Sequence, residues 1–171
     1  MTLSHAITCR TPGYCWYNND TATSIRTYGA LYNWYAVNTA KLAPAGWHVP
    51  TDVEWGTLES YVNANLGLSS SVAKALAAKT NWANSTTTLG VPGNNLTMNN
   101  STGFTALPGG YRFNYGVFYY VGFNGNWWSS TASGISNAWY MNLHYGGIGL
   151  GWFDNPKSYG FSVRCVMDKF S

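Results

Sequence analysis

Charge is what this chain has least of. Only 9% of its 171 residues are Asp, Glu, Lys or Arg, where soluble domains usually carry about a quarter. The net charge of +3 comes from basic residues scattered along the chain, which excludes a nucleic-acid-binding stripe. Disorder is also excluded, because 46% hydrophobic and 17% aromatic residues provide enough surface to bury a core.

Long apolar runs are lacking as well, and no stretch approaches the about 20 residues of a membrane-spanning helix. Residues 1–10 do not show the basic-then-apolar pattern of a signal peptide. We therefore expect no direct membrane insertion, and either export by another route or a piece of a longer chain. The length suits one domain, so residues 1–171 are interpreted as a single ligand-binding domain, which can be the C-terminal part of a longer chain.

Cysteine is scarce, with only Cys9, Cys15 and Cys165. The odd number leaves at least one thiol unpaired, and the spacing of Cys9 and Cys15 allows a small disulfide without requiring one. A zinc site would need further ligands at metal spacing, and His5 is the only candidate near this pair. We predict no metal site and no cofactor.

Clustered catalytic residue types are missing too. The three histidines, at 5, 48 and 144, stand far apart in the sequence, and the six carboxylates are equally dispersed. This pattern does not indicate an iron site. It also does not indicate a catalytic triad of nucleophile, base and orienting group. We predict that the protein is not an enzyme, that His48 is a hydrogen-bonded structural residue and that His144 is displayed.

The first half of the chain carries helical signals. Residues 28–37 have helical spacing, and a capping box at residues 51–54 starts a second helix. Its expected core stripe is Val53, Leu58, Tyr61, Val62 and Leu66, ending near Gly67. Residues 69–79 predict a shorter helix, and the Asn-, Thr-, Ser- and Gly-rich residues 80–102 predict a long irregular loop.

The second half of the chain is dominated by strand signals separated by turn residues. The strands are expected at residues 104–107, 111–112, 117–118, 127–131, 138–143 and 159–166. Helices followed by strands favour an α+β fold over alternating βαβ units.

Aromatic and glycine residues interleave between residues 111 and 159 in a way that no fold should need. Tyr and Trp give large contact areas at low entropic cost, and Gly and Asn add adaptability, as in antibody paratopes. The alternative is a sandwich core rich in aromatic residues. The lack of period-2 alternation over residues 146–155 disfavours that alternative.

Eight segments resemble the FISUMP domain, the major paralogous domain of Fibrobacter. They are CWYNND at 15–20, YGALYNW at 28–34, PAGWHVP at 44–50, EWGTL at 54–58, GFTALPGGYR at 103–112, WWSST at 127–131, AWY at 138–140 and GFSVRCV at 160–166. The resemblance spans nearly the whole chain in the right order. Ala43 departs from it, because the family commonly has a cysteine there, so a pairing of Cys165 with that position is not available.

The resemblance implies a C-type-lectin-like fold of the formylglycine-generating-enzyme branch. In that fold two main helices pack on small antiparallel sheets with long loops, and the two termini lie close together. We therefore expect the final strand, with Val163, to pair near the N-terminal segment.

The C-terminal pattern also resembles the variable proteins of diversity-generating retroelements. In such proteins adenine-directed mutagenesis rewrites selected codons, and an altered AAC codon yields Tyr, Phe, His, Asp, Gly, Ser, Val, Ile or Leu, among others. The residues that interrupt the apolar pattern here belong nearly all to that set.

These observations predict a ligand-binding display module with a hypervariable recognition surface. The predicted ligand-binding residues are Phe113, Tyr115, Val117, Tyr119, Tyr120, Phe123, Tyr140, Met141, His144, Gly146, Gly147, Gly149, Gly151, Trp152, Phe153 and Asp154. We expect them to form one contiguous patch, mostly on irregular backbone, above a supporting set of Trp127, Trp128, Trp139, Leu143, Phe161 and Val163.

The expected partner is a protein or glycan on a cell surface or phage host, and the expected location is a cell or virion surface, such as a phage tail. One alternative is a sugar-binding, lectin-like adhesin without calcium, since Asp154 is the only carboxylate in the stretch. A less favoured alternative is an enzyme of the formylglycine-generating type, which needs a pair of active-site cysteines.

Overall fold

The computed structural model describes residues 10–66, 71–86 and 88–168. Within them the chain forms an α+β structure of short elements with small antiparallel sheets. The strands are β1 Tyr14–Cys15, β2 Leu31–Tyr32, β3 Trp47–His48, β4 Gly109–Arg112, β5 Phe118–Val121, β6 Asn124–Ala132, β7 Asn137–His144, β8 Gly151–Pro156 and β9 Val166–Met167. The helices are α1 Ser24–Thr27, α2 Trp34–Val37, α3 Asp52–Ala64 and α4 Val72–Leu76.

The longest helix, α3, begins at the predicted capping box. The Thr51 hydroxyl accepts from the Glu54 amide, and the Glu54 carboxylate accepts from the Thr51 amide at 2.9 Å. The predicted core stripe was wrong in part, because Val53 is 72% exposed and Tyr61 is 67% exposed. Val62 is buried as predicted, and Leu58 and Leu66 pack against the core. Trp55, which the stripe did not include, is also buried, and a large indole gains much free energy from burial.

The helix expected over residues 28–37 is confined to α2. Residues 31–32 form β2, and Asn33 then caps α2 by accepting from the Ala36 amide. The buried Asn33 side chain also accepts from the Gly13 amide and donates to the Thr11 carbonyl. These long-range bonds override the helical spacing, because Asn competes well for backbone groups outside helices.

The short helix α4 is buried throughout. Its Lys74 side chain binds the irregular loop that was predicted at residues 80–102. Lys74 donates from Nζ to the carbonyls of Val91, Asn94 and Asn95 and to Asn99 Oδ1. Its charge is thereby satisfied by oxygens of a loop that contains a single 3-10 turn, Leu96–Met98. The expected start of this helix at residues 69 and 70, and the expected end of α3 near Gly67, lie outside the described residues.

The largest sheet has the order β6-β7-β8 and is antiparallel throughout. Strand β8 corrects the expectation of irregular backbone over residues 151–155. Hydrogen-bonded pairing with β7 sustains it despite the missing side chain at Gly151, and the ring of Phe153 covers the space that a Cβ there would need.

Two expected strands are not continuous. Within residues 104–107 only Ala106 forms a bridge, to Ala77, and residues 160–162 form single bridges to Arg112, Tyr32 and Trp127. The chain then pairs as β9 with β3, which is Trp47–His48. Val163 lies outside β9, so the expected strand with Val163 beside the N-terminal segment is not formed in the described part of the chain. The closeness of the termini stays a prediction, because residues 1–9 and 169–171 lie outside the described residues.

The main core lies between α3, α4 and the inner face of the β6-β7-β8 sheet. None of the helices in the described ranges is long and apolar enough to cross a membrane. Both described cysteines, Cys15 and Cys165, are free thiols. The suggested Cys9–Cys15 disulfide and the candidate ligand His5 fall outside the described residues.

Candidate ligand-binding surface

The strand register sorts the candidate residues onto two faces of the β6-β7-β8 sheet. Tyr140 stands opposite Trp128 on one side and opposite Phe153 on the other, so these three side chains share a face. Met141 pairs with Trp127 and Trp152 on the opposite face. We call the Tyr140 side the outer face and the Met141 side the inner face.

An unbroken chain of aromatic rings connects the outer face to the β4–β5 hairpin. The Tyr140 ring lies 5.9 Å from Phe153 and 4.4 Å from Phe161, and Phe161 lies 5.8 Å from Tyr111. We call the connected rings the aromatic surface: Tyr111, Phe113, Tyr115, Tyr119, Tyr120, Tyr140, Phe153, Tyr159 and Phe161. Phe161 and Tyr159 are its buried base, while Tyr115, Tyr120 and Phe153 are about half exposed.

Backbone strain at Tyr120 adds a ring to this surface. Neighbouring residues in a regular strand point to opposite sides, yet Tyr119 and Tyr120 both lie 6.0 Å from the Tyr111 ring. Tyr120 achieves this with a φ of 62°, a left-handed conformation that costs an L-residue about 1–2 kcal/mol. Such strain clusters at functional sites, and here its effect is to place one more tyrosine on the surface.

A pocket of about 260 Å³ opens in the outer face beside these rings. Four aromatic and four asparagine side chains line it: Tyr111, Tyr140, Phe153, Phe161, Asn124, Asn126, Asn142 and Asn155. We call it the asparagine pocket. Asn142 donates to Asn126 Oδ1 at 2.9 Å, and Asn126 donates to the Gly110 carbonyl at 3.3 Å. Asn126 and Asn142 therefore form an ordered carboxamide pair without a formal charge, whereas the buried Asn124 Oδ1 has no hydrogen-bond partner in the described part of the chain.

Three tyrosine hydroxyls on this surface, those of Tyr111, Tyr140 and Tyr159, stay protonated at neutral pH. Burial raises the pKa of Tyr140 to about 12, and burial also raises the pKa of Tyr111 and of Tyr159. Asp154 is a correction, because it pairs with Trp139 and by strand alternation lies on the same side of β8 as Trp152, away from Phe153. Hydrogen bonds from Asn137 and Ser133 lower the pKa of its carboxyl. The aromatic surface itself is thus neutral and presents hydroxyls and carboxamides.

Most of the sequence-predicted residues are at least partly exposed, but the structure does not bring all of them together. Six belong to the aromatic surface: Phe113, Tyr115, Tyr119, Tyr120, Tyr140 and Phe153. Phe123 and His144 both contact Tyr145, with ring centroids at 5.1 and 4.6 Å. Val117 and Gly149 are exposed at turns, Gly146 and Gly147 adjoin His144, and Gly151 adjoins Phe153.

Met141 is a correction. Its side chain is fully buried in the main core on the inner face, so it cannot contact a ligand on the outer face. Trp152 also points inward, where its ring reaches Gly56 of α3 and its Nε1 donates to Glu59 at 3.1 Å. Strand alternation is the physical reason, because each lies between two outward neighbours.

Sequence reasoning missed the polar part of the site. The asparagine pocket adds Asn124, Asn126, Asn142 and Asn155, and Tyr111, Tyr159 and Phe161 complete the aromatic surface. The alternation Tyr140, Asn142, His144 within β7 was a usable signal for Asn142. Nothing local in the sequence indicates that Phe161 lies between Tyr111 and Tyr140, since that contact joins distant segments.

The two described histidines, His48 and His144, lie in the surroundings expected for them. His48 contacts Asp168 through Nδ1 at 2.6 Å and Glu54 through Nε2 at 2.9 Å, which makes it a structural link between β3, α3 and the C-terminal segment. His144 is exposed. Among the described residues no group of three or more His, Cys, Asp or Glu side chains could hold a metal ion.

The fold and this site define an α+β protein that presents a neutral aromatic surface on its largest sheet. The chain belongs to the family described as the Fibrobacter succinogenes major domain, which it matches over residues 2–167. No curated protein and no solved structure matches the chain.

Proposed function

We propose that this protein is a ligand-binding display module and that the aromatic surface is its recognition surface. The observation that carries the proposal is the continuous run of rings from Tyr115 to Phe153, with about half of the Tyr115, Tyr120 and Phe153 side chains open to solvent. Exposed apolar patches of this kind usually mark interaction sites.

The proposal extends to hypervariability on a C-type-lectin-like fold, as in the variable proteins of diversity-generating retroelements. Support comes from the separation of roles along β7 and β8, where outward residues can change while inward residues pack the core. The ligand is a protein or a glycan at a cell surface or phage host, and the protein itself acts at a cell or virion surface. It is not an enzyme.

A substitution library tests the display role. Positions Tyr115, Tyr120, Phe123, His144 and Phe153 would be randomised together, and folding would be scored by protease resistance of the displayed protein. We expect most members to fold, because surface substitutions usually change stability by less than about 0.5 kcal/mol.

A matched library provides the control. It randomises five buried positions of the same sheet region, Trp127, Trp128, Met141, Leu143 and Phe161, and should yield few folded members. Equal losses in the two libraries would refute the display role.

The gene offers an independent test of hypervariability. We expect a near-copy of the 3′ end in flanking DNA, beside a reverse transcriptase gene, with adenines at the codons of the outward residues. Variable codons that coincide with Met141 or Leu143 would contradict the proposal, because those side chains are buried.

The asparagine pocket favours a second candidate, calcium-free sugar binding. A neutral sugar ring could stack on Tyr140 or Phe153 and exchange hydrogen bonds with Asn142 and Asn155, and the small volume suits one ring-sized group. Titration with neutral methyl hexosides should shift the side-chain amide NMR signals of Asn142 in the wild type and fail to do so in Phe153→Ala. Absence of any shift in the wild type would remove this candidate and leave the display role standing.

A further inference from the structure

A second pocket lies away from the aromatic surface, on the helical side of the molecule. It has a volume of about 400 Å³ and lies between the first turns of α3, residues 103–104 and the β3–β9 ribbon. Its walls are mostly apolar and include Trp47, Trp55, Leu58, Phe104 and Met167. Trp55 and Leu58 belong to the core on the inner face of the sheet, so the two sites are separate. We call it the helix-side pocket.

One unusual cation, Arg164, lines the helix-side pocket. Its guanidinium lies 4.5 Å from the centre of the Phe104 ring, and Nη2 donates to the carbonyls of Phe104 and Thr105 at 2.7 and 3.1 Å. The ion pairs formed within the described residues both belong to His48, so no carboxylate there neutralises Arg164.

Arg164, unlike Lys74, keeps N–H donors that a ligand could use. Lys74 has three N–H donors, and four oxygens surround them. Arg164 has five donors in a planar fork, and its hydrogen bonds among the described residues all use Nη2. Burial also lowers the pKa of Arg164, a cost to the charged form that a bound anion would offset.

Trp55 supplies a second polar group in the same wall. Its ring is 3% exposed and its indole Nε1 has no hydrogen-bond partner in the described part of the chain. Leaving a buried donor unpaired is unfavourable. Because Trp55 lines the helix-side pocket, its indole N–H signal can report whether the pocket is occupied.

The carboxylate in the lining, Glu54, does not favour a cationic ligand. Both of its oxygens are already bonded, to His48 and to the amide and hydroxyl of Thr51. The uncompensated charge in the lining is therefore positive.

We propose that the helix-side pocket binds a small molecule that combines an apolar ring or chain with one carboxylate. The apolar body packs between Trp47, Phe104 and Met167, and the carboxylate pairs with the free edge of the Arg164 guanidinium. This inference does not depend on what the aromatic surface binds.

Three probes with one naphthalene skeleton test it: 1-naphthylacetate, its neutral amide and the corresponding amine. Binding would be measured at pH 7 by NMR titration, with the Trp55 indole N–H signal assigned through Trp55→Phe. We expect the acid to bind about tenfold more tightly than the amide, as charge-assisted hydrogen bonds outweigh neutral ones. We also expect the Trp55 signal to move and the amine to bind weakest.

Variants locate the site. Met167→Ala should weaken acid binding several-fold without loss of folding, because Met167 is exposed, whereas Met98→Ala, an exposed methionine outside the pocket, should leave it unchanged. Arg164→Gln should abolish the preference for acid over amide. If Arg164→Gln does not fold, two other measurements test the proposal. They are the affinity of the wild type for acid relative to amide, and the acid affinities of Met167→Ala and Met98→Ala.

Several results would overturn the proposal. They are equal affinity for acid and amide, tightest binding of the amine, an effect of Met98→Ala as large as that of Met167→Ala, and no binding of any probe at millimolar concentration. The first two would mean that Arg164 serves only to hold residues 104–105, and the last two would mean that the helix-side pocket is not a binding site.

Discussion

The two faces of the β6-β7-β8 sheet are made by the same strands, yet they differ in burial and in side-chain chemistry. On the inner face Met141, Leu143 and Trp127 pack against α3 and α4 and are almost fully buried. On the outer face Tyr140, Asn142 and Phe153 carry rings and carboxamides that remain partly open to solvent. Core packing and solvent exposure are thus assigned to alternate residues of one strand.

This alternation explains how a surface could vary without loss of the fold. A substitution at an outward position changes contacts with solvent and ligand, while the inward neighbours keep the packing that determines the free energy of unfolding. This separation of roles does not hold for a residue of the outer face that is itself buried. Trp128 is that case, because Phe161 and Tyr140 cover it.

Trp128→Ala is expected to have the largest effect and to mark that limit. Trp128 is fully buried, lies 4.4 Å from Phe161 and donates from Nε1 to the Tyr32 carbonyl at 2.8 Å. Its truncation should lower the free energy of unfolding by about 3–5 kcal/mol, measured by urea denaturation. A loss below about 1 kcal/mol would mean that the base of the aromatic surface is not packed as described.

Met141→Ala and His144→Ala compare the two faces within β7. We expect about 2–5 kcal/mol of destabilisation for the buried methionine and a change within about 0.5 kcal/mol for the exposed histidine. Denaturation curves of the two variants under the same conditions provide the measurement. Similar losses would contradict the assignment of opposite roles to the two faces.

Trp152→Arg and Phe153→Asn make the same comparison at adjacent positions of β8. Trp152 packs on α3 and donates to Glu59, so its loss should cost about 1–3 kcal/mol, less than that of a fully buried tryptophan. Phe153→Asn should leave the melting temperature nearly unchanged, because the ring is half exposed. A reversed order would contradict the assignment of Trp152 to the inner face and Phe153 to the outer face.

The smallest expected effects are on the pKa values of the two described histidines, which shift in opposite directions. Hydrogen bonds to Asp168 and then Glu54 raise the pKa of His48, whereas burial lowers the pKa of His144. NMR titration of the ring protons should therefore give a midpoint above about 6.5 for His48 and below it for His144. Midpoints in the reverse order would contradict the described surroundings.

Linkage gives the corresponding dependence of stability on pH. For His48 the stabilising contribution is complete below about pH 6.5, its unfolded pKa, and is lost as pH rises through the higher folded value. For His144 the contribution is lost as pH falls through the lower folded value. The His48 effect should be small because the side chain is 39% exposed, and in His48→Gln it should disappear.

Local signals in the sequence were sufficient where short-range chemistry decides the structure. The capping box at Thr51 and Glu54, the strands around Trp127 and Tyr140, and the irregular loop before Gly103 follow from such signals. Prediction failed where partners are distant. Asn33 delays the start of the expected helix to residue 34 by binding Gly13 and Thr11, and β8 forms because β7 lies beside it.

The candidate site divides in the same way. Its aromatic composition was visible in the chain, but the inward direction of Met141 and Trp152 depends on the strand register, which the sequence leaves open without a pairing partner. The four asparagines of the pocket are unremarkable in the sequence. They become a site because β6, β7 and β8 bring them to one face.

The sequence by itself determined the low charge of this protein, an α+β arrangement of elements, and a high content of aromatic residues. Tertiary structure alone decided which aromatic residues are displayed, how Phe161 joins two distant ring clusters, and why Arg164 lies in an apolar pocket. The physical reason is the distance along the sequence over which each interaction acts. Composition and capping act within a few residues, whereas burial, register and charge compensation depend on groups that only folding brings together.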